Sequence, residues 1–224
     1  MRKPGLHVAL GVFLLGMASA ASAGPIAAGD HVTFTDGPGT TGGGEFTLTV
    51  NGLESFVTFC LQRTEYMDFS STFTVGSINA YTLTDPAANG GDAEGRDWLD
   101  SRTAWLYTQF RNGSLAGYDY TPNTQAHVDS ANALQNAIWW FENEITTNPN
   151  NSFVIAANNA INSGSWTGIG NVRVLNLYYG NGVEAQDQLA LIPTPEPASL
   201  TLLGSGALAL VAKRRRMAAK QAKA

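Results

Sequence analysis

The sequence predicts an α+β domain, an antiparallel β-sandwich or barrel-like core with an inserted helical block that carries Gln135. Two observations carry this expectation. Apolar and polar residues alternate with period two through residues 31–61 and strand-like runs return after Val172, whereas between Asp97 and Asn162 the apolar residues recur at helical spacing. Strand blocks around a helical block, with no internal repeat, point to α+β.

Residues 31–35, 45–50 and 55–61 are β-branched or aromatic and are separated by glycine-rich turns, Gly42-Gly43-Gly44 and Asn51-Gly52. The Asn-Gly pair predicts a tight hairpin between the second and third strands. A fourth extended stretch covers 73–83 and stops at Asp85-Pro86. Trp98, Leu99, Trp105, Leu106 and Phe110 then predict a helix over 97–110, closed by Asn112-Gly113. A second helix is expected over 124–144, with Ala131, Leu134, Ile138, Phe141 and Ile145 as its apolar stripe, and a third over 152–162. Strands are expected again at 172–179 and 188–192.

The 224 residues divide into 1–23, 24–192 and 193–224. Arg2-Lys3, an apolar run over 8–17 and the small residues Ala21-Ser22-Ala23 make residues 1–23 a secretory signal peptide, with a run too short for a lasting membrane anchor. Between Gly24 and Pro197 there are five arginines, no lysine and all 18 acidic residues, a net charge of −13 against −5 for the whole chain. So acidic a body repels a phosphate backbone, which excludes nucleic acid as its partner. Cys60 is the only cysteine, so no internal disulfide can form. The remaining 170 or so residues suffice for one buried core.

At the other end, Pro195-Glu196-Pro197 precedes 15 small and apolar residues, Ala198 to Ala212, and then Lys213-Arg214-Arg215-Arg216. Fifteen residues give about 22 Å of helix, short of the roughly 30 Å of a bilayer core. This order resembles the PEP-CTERM sorting signal of Gram-negative bacteria. The resemblance implies a short transmembrane helix before processing, cleavage near the motif by an exosortase-type enzyme, and a final place at the cell envelope or in the extracellular matrix.

Two residues stand out chemically. Alternation along 56–61 puts Val57, Phe59 and Leu61 on one strand face and Phe56, Thr58 and Cys60 on the other. A free thiol is unusual in an exported protein, although a small buried hydrophobe is the plain reading of a lone cysteine. Gln135 has Ala131, Ile138 and Trp139 as its helical neighbours, so its amide meets an apolar face, where an unpartnered amide costs roughly 1–3 kcal/mol.

Phe59-Cys60-Leu61 on a strand, followed about 75 residues later by the helical Gln135-Asn136-Ala137-Ile138-Trp139, resembles the bacterial thioester domain. The helix segment from Arg102 to Tyr107 fits the same pattern. Leu134 departs from it where Thr or Ser often precedes the Gln, and Gln62 where an acidic residue often follows the Cys. The resemblance implies that the Cys60 thiolate displaces ammonia from the Gln135 carboxamide, and that the resulting thioester later couples to an external amine or hydroxyl on a surface protein or polysaccharide. It implies no cofactor and no catalytic turnover.

Phe59, Trp139 and Trp140 are candidates for keeping water from such a bond. His127 and Glu142 flank Gln135 at two helical turns as helper bases, and neither is assigned. The absence of lysine would spare the protein its own amines. Two other readings stay open. One is a passive structural or matrix-binding module with an unreacted Cys60. The other is a hydrolase pairing Cys60 with His31 or His127, which the mid-strand placement of the thiol disfavours. The carboxylate pairs Asp97/Asp100 and Glu142/Glu144 are expected on solvated helix faces. The two histidines and one cysteine between Gly24 and Pro197 form no ligand-spaced metal cluster, and no glycine-rich loop leads from strand to helix for a nucleotide.

Overall fold

The computed structural model describes residues 26–83 and 91–192; the expected signal peptide and the sorting tail lie outside these residues. Period-two alternation becomes strand directly in β1 (His31–Asp36), which buries Val32 and Phe34 and turns His31, Thr33 and Thr35 outward. β2 (Phe46–Val50) and β3 (Glu54–Thr58) pair with it and with each other in antiparallel register. Asn51 and Gly52 both hold positive φ, 50° and 71°, the left-handed pair that a tight hairpin turn requires.

The extended stretch over 73–83 breaks in two. β4 (Phe73–Asn79) pairs with β1, while β5 (Tyr81–Leu83) leaves the main sheet to pair with β6 (Arg96–Trp98). Residues 97 and 98 were expected in the first turn of a helix and are strand instead. The cause is Asp100, whose carboxylate accepts from Arg102 N at 2.7 Å and so starts α1 (Ser101–Arg111) only after itself. Trp98 stays half-exposed and packs edge-on against Tyr81 across the small ladder.

α2 (Gln125–Phe141) is capped by Thr124, and Asn143 just past its end sits at φ 60°, which closes the helix short of the expected residue 144. α3 (Ser152–Asn162) is capped by Asn151. β7 (Val172–Tyr179) and β8 (Glu184–Leu191) complete the main sheet. β8 starts four residues before its expected place because Gln186, Asp187 and Gln188, polar in sequence, are buried within it. Asp187 accepts from Asn176 Nδ2 and from Leu177 N, and Gln186 donates to the carbonyls of Gln62 and Glu65. Partners inside the fold remove the cost of burying them.

The main sheet has the order β3-β2-β1-β4-β7-β8 with every neighbouring pair antiparallel. The fold is α+β as expected, but the sheet is not closed into a barrel. After Thr58 the chain leaves the β3 ladder and crosses to β8 for three residues only: Leu189 N donates to Phe59 O, and Leu61 N to Asp187 O, both at 3.1 Å, around a bridge between Cys60 and Gln188. The crossing stays short because Phe59 and Leu61 are drawn into the helical core with Leu106, Tyr107, Leu134 and Ile138. A second cluster consists mostly of strand residues, Val32, Leu48, Phe73 and Leu175 among them, and it takes in Cys60 and Trp139. Among the described residues no helix is long and apolar enough to cross a membrane.

Candidate functional site

The crossing segment positions Cys60. Backbone alternation sends Phe59 and Leu61 into the helical cluster and Cys60 into the strand cluster, the division of faces expected from sequence. From the other side α2 presents Gln135, 75 residues further along. Both side chains are fully buried.

Three hydrogen bonds fix the pair. Cys60 Sγ donates to Gln135 Oε1 at 3.4 Å, Gly44 N donates to the same oxygen at 2.9 Å, and Gln135 Nε2 donates to Cys60 O at 2.9 Å. Only the amide oxygen can accept from Gly44 and only the nitrogen can donate to the Cys60 carbonyl, so the orientation of the amide is determined by its partners. The thiol therefore lies beside the carboxamide, with a backbone N–H polarising the carbonyl, as an oxyanion donor would. Burial pushes the Cys60 thiol up to about 12, and the negative Glu144 adds to the rise. The Gly44 N–H and the Trp139 side chain work against it, although Trp139 Nε1 makes no full hydrogen bond.

Covering the pair is the segment 37–44, five of whose eight residues are glycine. A Cβ on Gly44 would stand 2.8 Å from Thr58 O, and one on Gly43 would stand 2.7 Å from both Gln135 Cδ and Trp139 Cζ2. Backbone can approach this closely only without side chains. Thr40 N donates to Asn132 Oδ1 at 2.7 Å and Asn132 Nδ2 to Thr40 Oγ1 at 2.9 Å, tying the tip of the segment to α2. Two cavities flank the cover: one of about 380 Å³ along Asp36, Gly43, Tyr66 and Phe69, the other of about 480 Å³ along Thr41, Arg63, Trp139 and Glu144.

Of the residues proposed as a shield, Trp139 stands at the pair, while Phe59 and the partly buried Trp140 belong to the helical cluster. The two suggested helper bases are engaged elsewhere. His127 Nε2 meets Glu45 Oε2 at 2.9 Å, and Glu142 accepts from Asp100 N at 3.2 Å. His31 lies on the exposed face of β1 beside Thr74, so among the described residues neither histidine pairs with Cys60.

One expectation about carboxylates is corrected. Asp97 and Glu142 are buried rather than solvated, because Asp97 lies in β6 and Glu142 ends α2 against the start of α1. Burial raises Asp97 to about 6 and Glu142 to about 8, helped by the negative charges around each. Among the described residues no group of three or more His, Cys, Asp or Glu is placed to hold a metal ion.

Gly43 and Gly44 are the site residues that sequence reasoning missed, because a backbone donor leaves no side-chain signature. The available signal was a run of three glycines in a connection longer than a tight hairpin needs.

Comparison with known proteins bears on the tail. Neither the curated proteins nor the solved structures yield a match to this chain. Residues 193–216, which include Pro195, Glu196 and Pro197, match the PEP-CTERM protein-sorting motif, a signal that exosortase recognises and that implies export and attachment to the cell surface in Gram-negative bacteria.

Proposed function

We propose that this exported protein joins Cys60 to Gln135 in an internal thioester and uses that bond to attach itself covalently to an external nucleophile. The observation that supports this is the 3.4 Å contact between Cys60 Sγ and Gln135 Oε1, with the Gly44 N–H on the same oxygen. In the forming step the sulfur attacks Gln135 Cδ. The thiol proton passes to the carboxamide, the C–N bond breaks, and nitrogen leaves as ammonia. Donors preset around the oxygen and a dry surrounding favour this step.

In the spending step an amine attacks the same carbon, the C–S bond breaks, and the amine's proton ends on Cys60. Each molecule reacts once, so it is a covalent attachment module for adhesion or the biofilm matrix and not an enzyme. The −13 body and the Asp36 carboxylate in the cavity beside Gly43 draw a cationic amine more strongly than a neutral hydroxyl. Export by residues 1–23 and exosortase processing near Pro195-Glu196-Pro197 would deliver the bond to the surface intact.

Intact mass tests this: secreted protein should weigh about 17 Da less than its sequence requires and gain about 31 Da with methylamine, as loss of ammonia and amine addition demand. A full sequence mass that methylamine leaves unchanged would favour the rival reading, a passive surface module. The high, fully buried Cys60 thiol supports that rival, since such a group also serves as a small core hydrophobe.

A further inference from the structure

Immediately after the Gly44 donor, Glu45 carries a side chain that is 13% exposed and held from two sides. Its Oε2 accepts from Tyr118 Oη, in the connection between α1 and α2, and meets His127 Nε2 at 2.9 Å, in the first turn of α2. Tyr118 Oη donates to the carboxylate, and the His127 ring faces it through Nε2. Its other ring nitrogen, Nδ1, is buried without a hydrogen-bond partner. Tyr118 is 7% exposed and packs edge-on against both Phe110 and His127, so the grip on Glu45 is itself set in the core.

The helix that offers Gln135 thus fastens the covering segment and the residue that follows it at three places: Asn132 on Thr40, Gln135 on Gly44, and His127 on Glu45. Glu45 and Gly44 have partners inside the protein, whereas the Thr40–Asn132 contact is exposed. Fixing Glu45 anchors the chain one residue after Gly44, and so narrows the φ and ψ of Gly44 that set the direction of the Gly44 N–H.

We infer that Glu45, clamped by Tyr118 and His127, is a positioning residue that aims the Gly44 N–H at the Gln135 carbonyl. The inference rests on the thioester reading for its chemical consequence, but the aim of the N–H can be measured separately. Tyr118→Phe, His127→Ala, His127→Gln and Glu45→Ala in the full exported chain provide the test, with Val172→Ala as a core-thinning control. Two quantities are read at matched melting temperature: hydrogen exchange at the Gly44 amide, and the fraction of protein lacking about 17 Da.

Loss of one clamp bond should speed Gly44 exchange about tenfold, the effect of a net hydrogen bond near 1.4 kcal/mol. The amides of α3 should be unchanged. The mass-shifted fraction should fall with the clamp, and His127→Gln, which restores a donor, should recover both readouts. If Glu45→Ala does not fold, the milder Tyr118→Phe and His127→Ala decide. Wild-type mass at full sequence value sinks the thioester reading and leaves the exchange result to judge the clamp. Gly44 exchange in the clamp variants equal to that in Val172→Ala overturns the clamp.

Discussion

Gly43 lies so tightly against Gln135 that a methyl group on its Cα would fall 2.6 Å from Cγ and 2.7 Å from Cδ of that side chain. Gly42, its neighbour, has open space there but a φ of +84°. The two glycines therefore separate steric from conformational cost. Gly43→Ala must push Gln135 away from Cys60; it should cost about 1–3 kcal/mol, the usual penalty of overpacking, and reduce the fraction of thioester. Gly42→Ala should cost about 1 kcal/mol through strain alone and leave that fraction intact. Thermal melts with intact mass distinguish them, and equal thioester fractions in both variants would refute the role given to Gly43.

A thioester between Cys60 and Gln135 closes a loop of 75 residues. In the chain-entropy view such a crosslink stabilises by about 4 kcal/mol, less any strain in the bond. Cys60→Ser should then melt roughly 10 °C below wild type, at about 2–4 °C per kcal/mol for a domain of this size. Methylamine, which opens the loop without changing the sequence, should bring wild type down to nearly the same temperature. A melting point indifferent to methylamine would show that no crosslink contributes.

Burial raises Glu142 from its ordinary 4.5 to about 8 and Asp97 from 3.8 to about 6, and it lifts Asp187 well above its usual range. All three shifts have one sign. Between the ordinary and the raised values the folded protein keeps protons that the unfolded chain releases, so stability falls as pH rises, by at most about 1.4 kcal/mol per unit for each group. Asp30, Asp68, Asp92 and Asp119 are held low by hydrogen bonds and act in the opposite sense only in more acidic solution. The melting temperature should therefore peak on the acid side of neutrality. Glu142→Gln should raise it near pH 8 and change it little near pH 4.5. An equal effect at both values would show that Glu142 is not buried as a neutral acid.

Much of the fold is legible because its elements obey local rules. β1, β7 and α3 lie within a residue of their expected bounds, since alternation or an N-cap defines each end. The misplaced elements depend on distant partners. Arg96–Trp98 is strand because Tyr81–Leu83 pairs with it, and β8 extends back to Glu184 because Asn176 and Gln62 satisfy its buried polar residues. The same division runs through the site. Cys60 and Gln135 carry side-chain patterns that can be read from sequence. Gly44 acts through its backbone, and the grip of Tyr118 and His127 on Glu45 spans 73 and 82 residues, beyond any periodicity.

Both halves of the Cys60–Gln135 pair are buried, so an outside nucleophile can reach Gln135 Cδ only when the covering segment moves. Asn132 and Thr40 share the two hydrogen bonds at its exposed tip, while the base is held inside the protein at Glu45 and Gly44. Opening should therefore begin at the tip. Asn132→Ala removes both tip bonds; at a net 0.5–1 kcal/mol each for exposed groups, the open population should rise about tenfold. The melting temperature should hardly move, because global unfolding loses little there. If opening limits attack, methylamine labelling of the Gln135 peptide should speed up by a similar factor. Labelling should also rise with pH toward 10 in both proteins, since only the neutral amine attacks. Asn132→Ala combined with Cys60→Ser should take no label. Identical labelling rates in wild type and Asn132→Ala would mean that the tip bonds do not control access and that the nucleophile enters by another face.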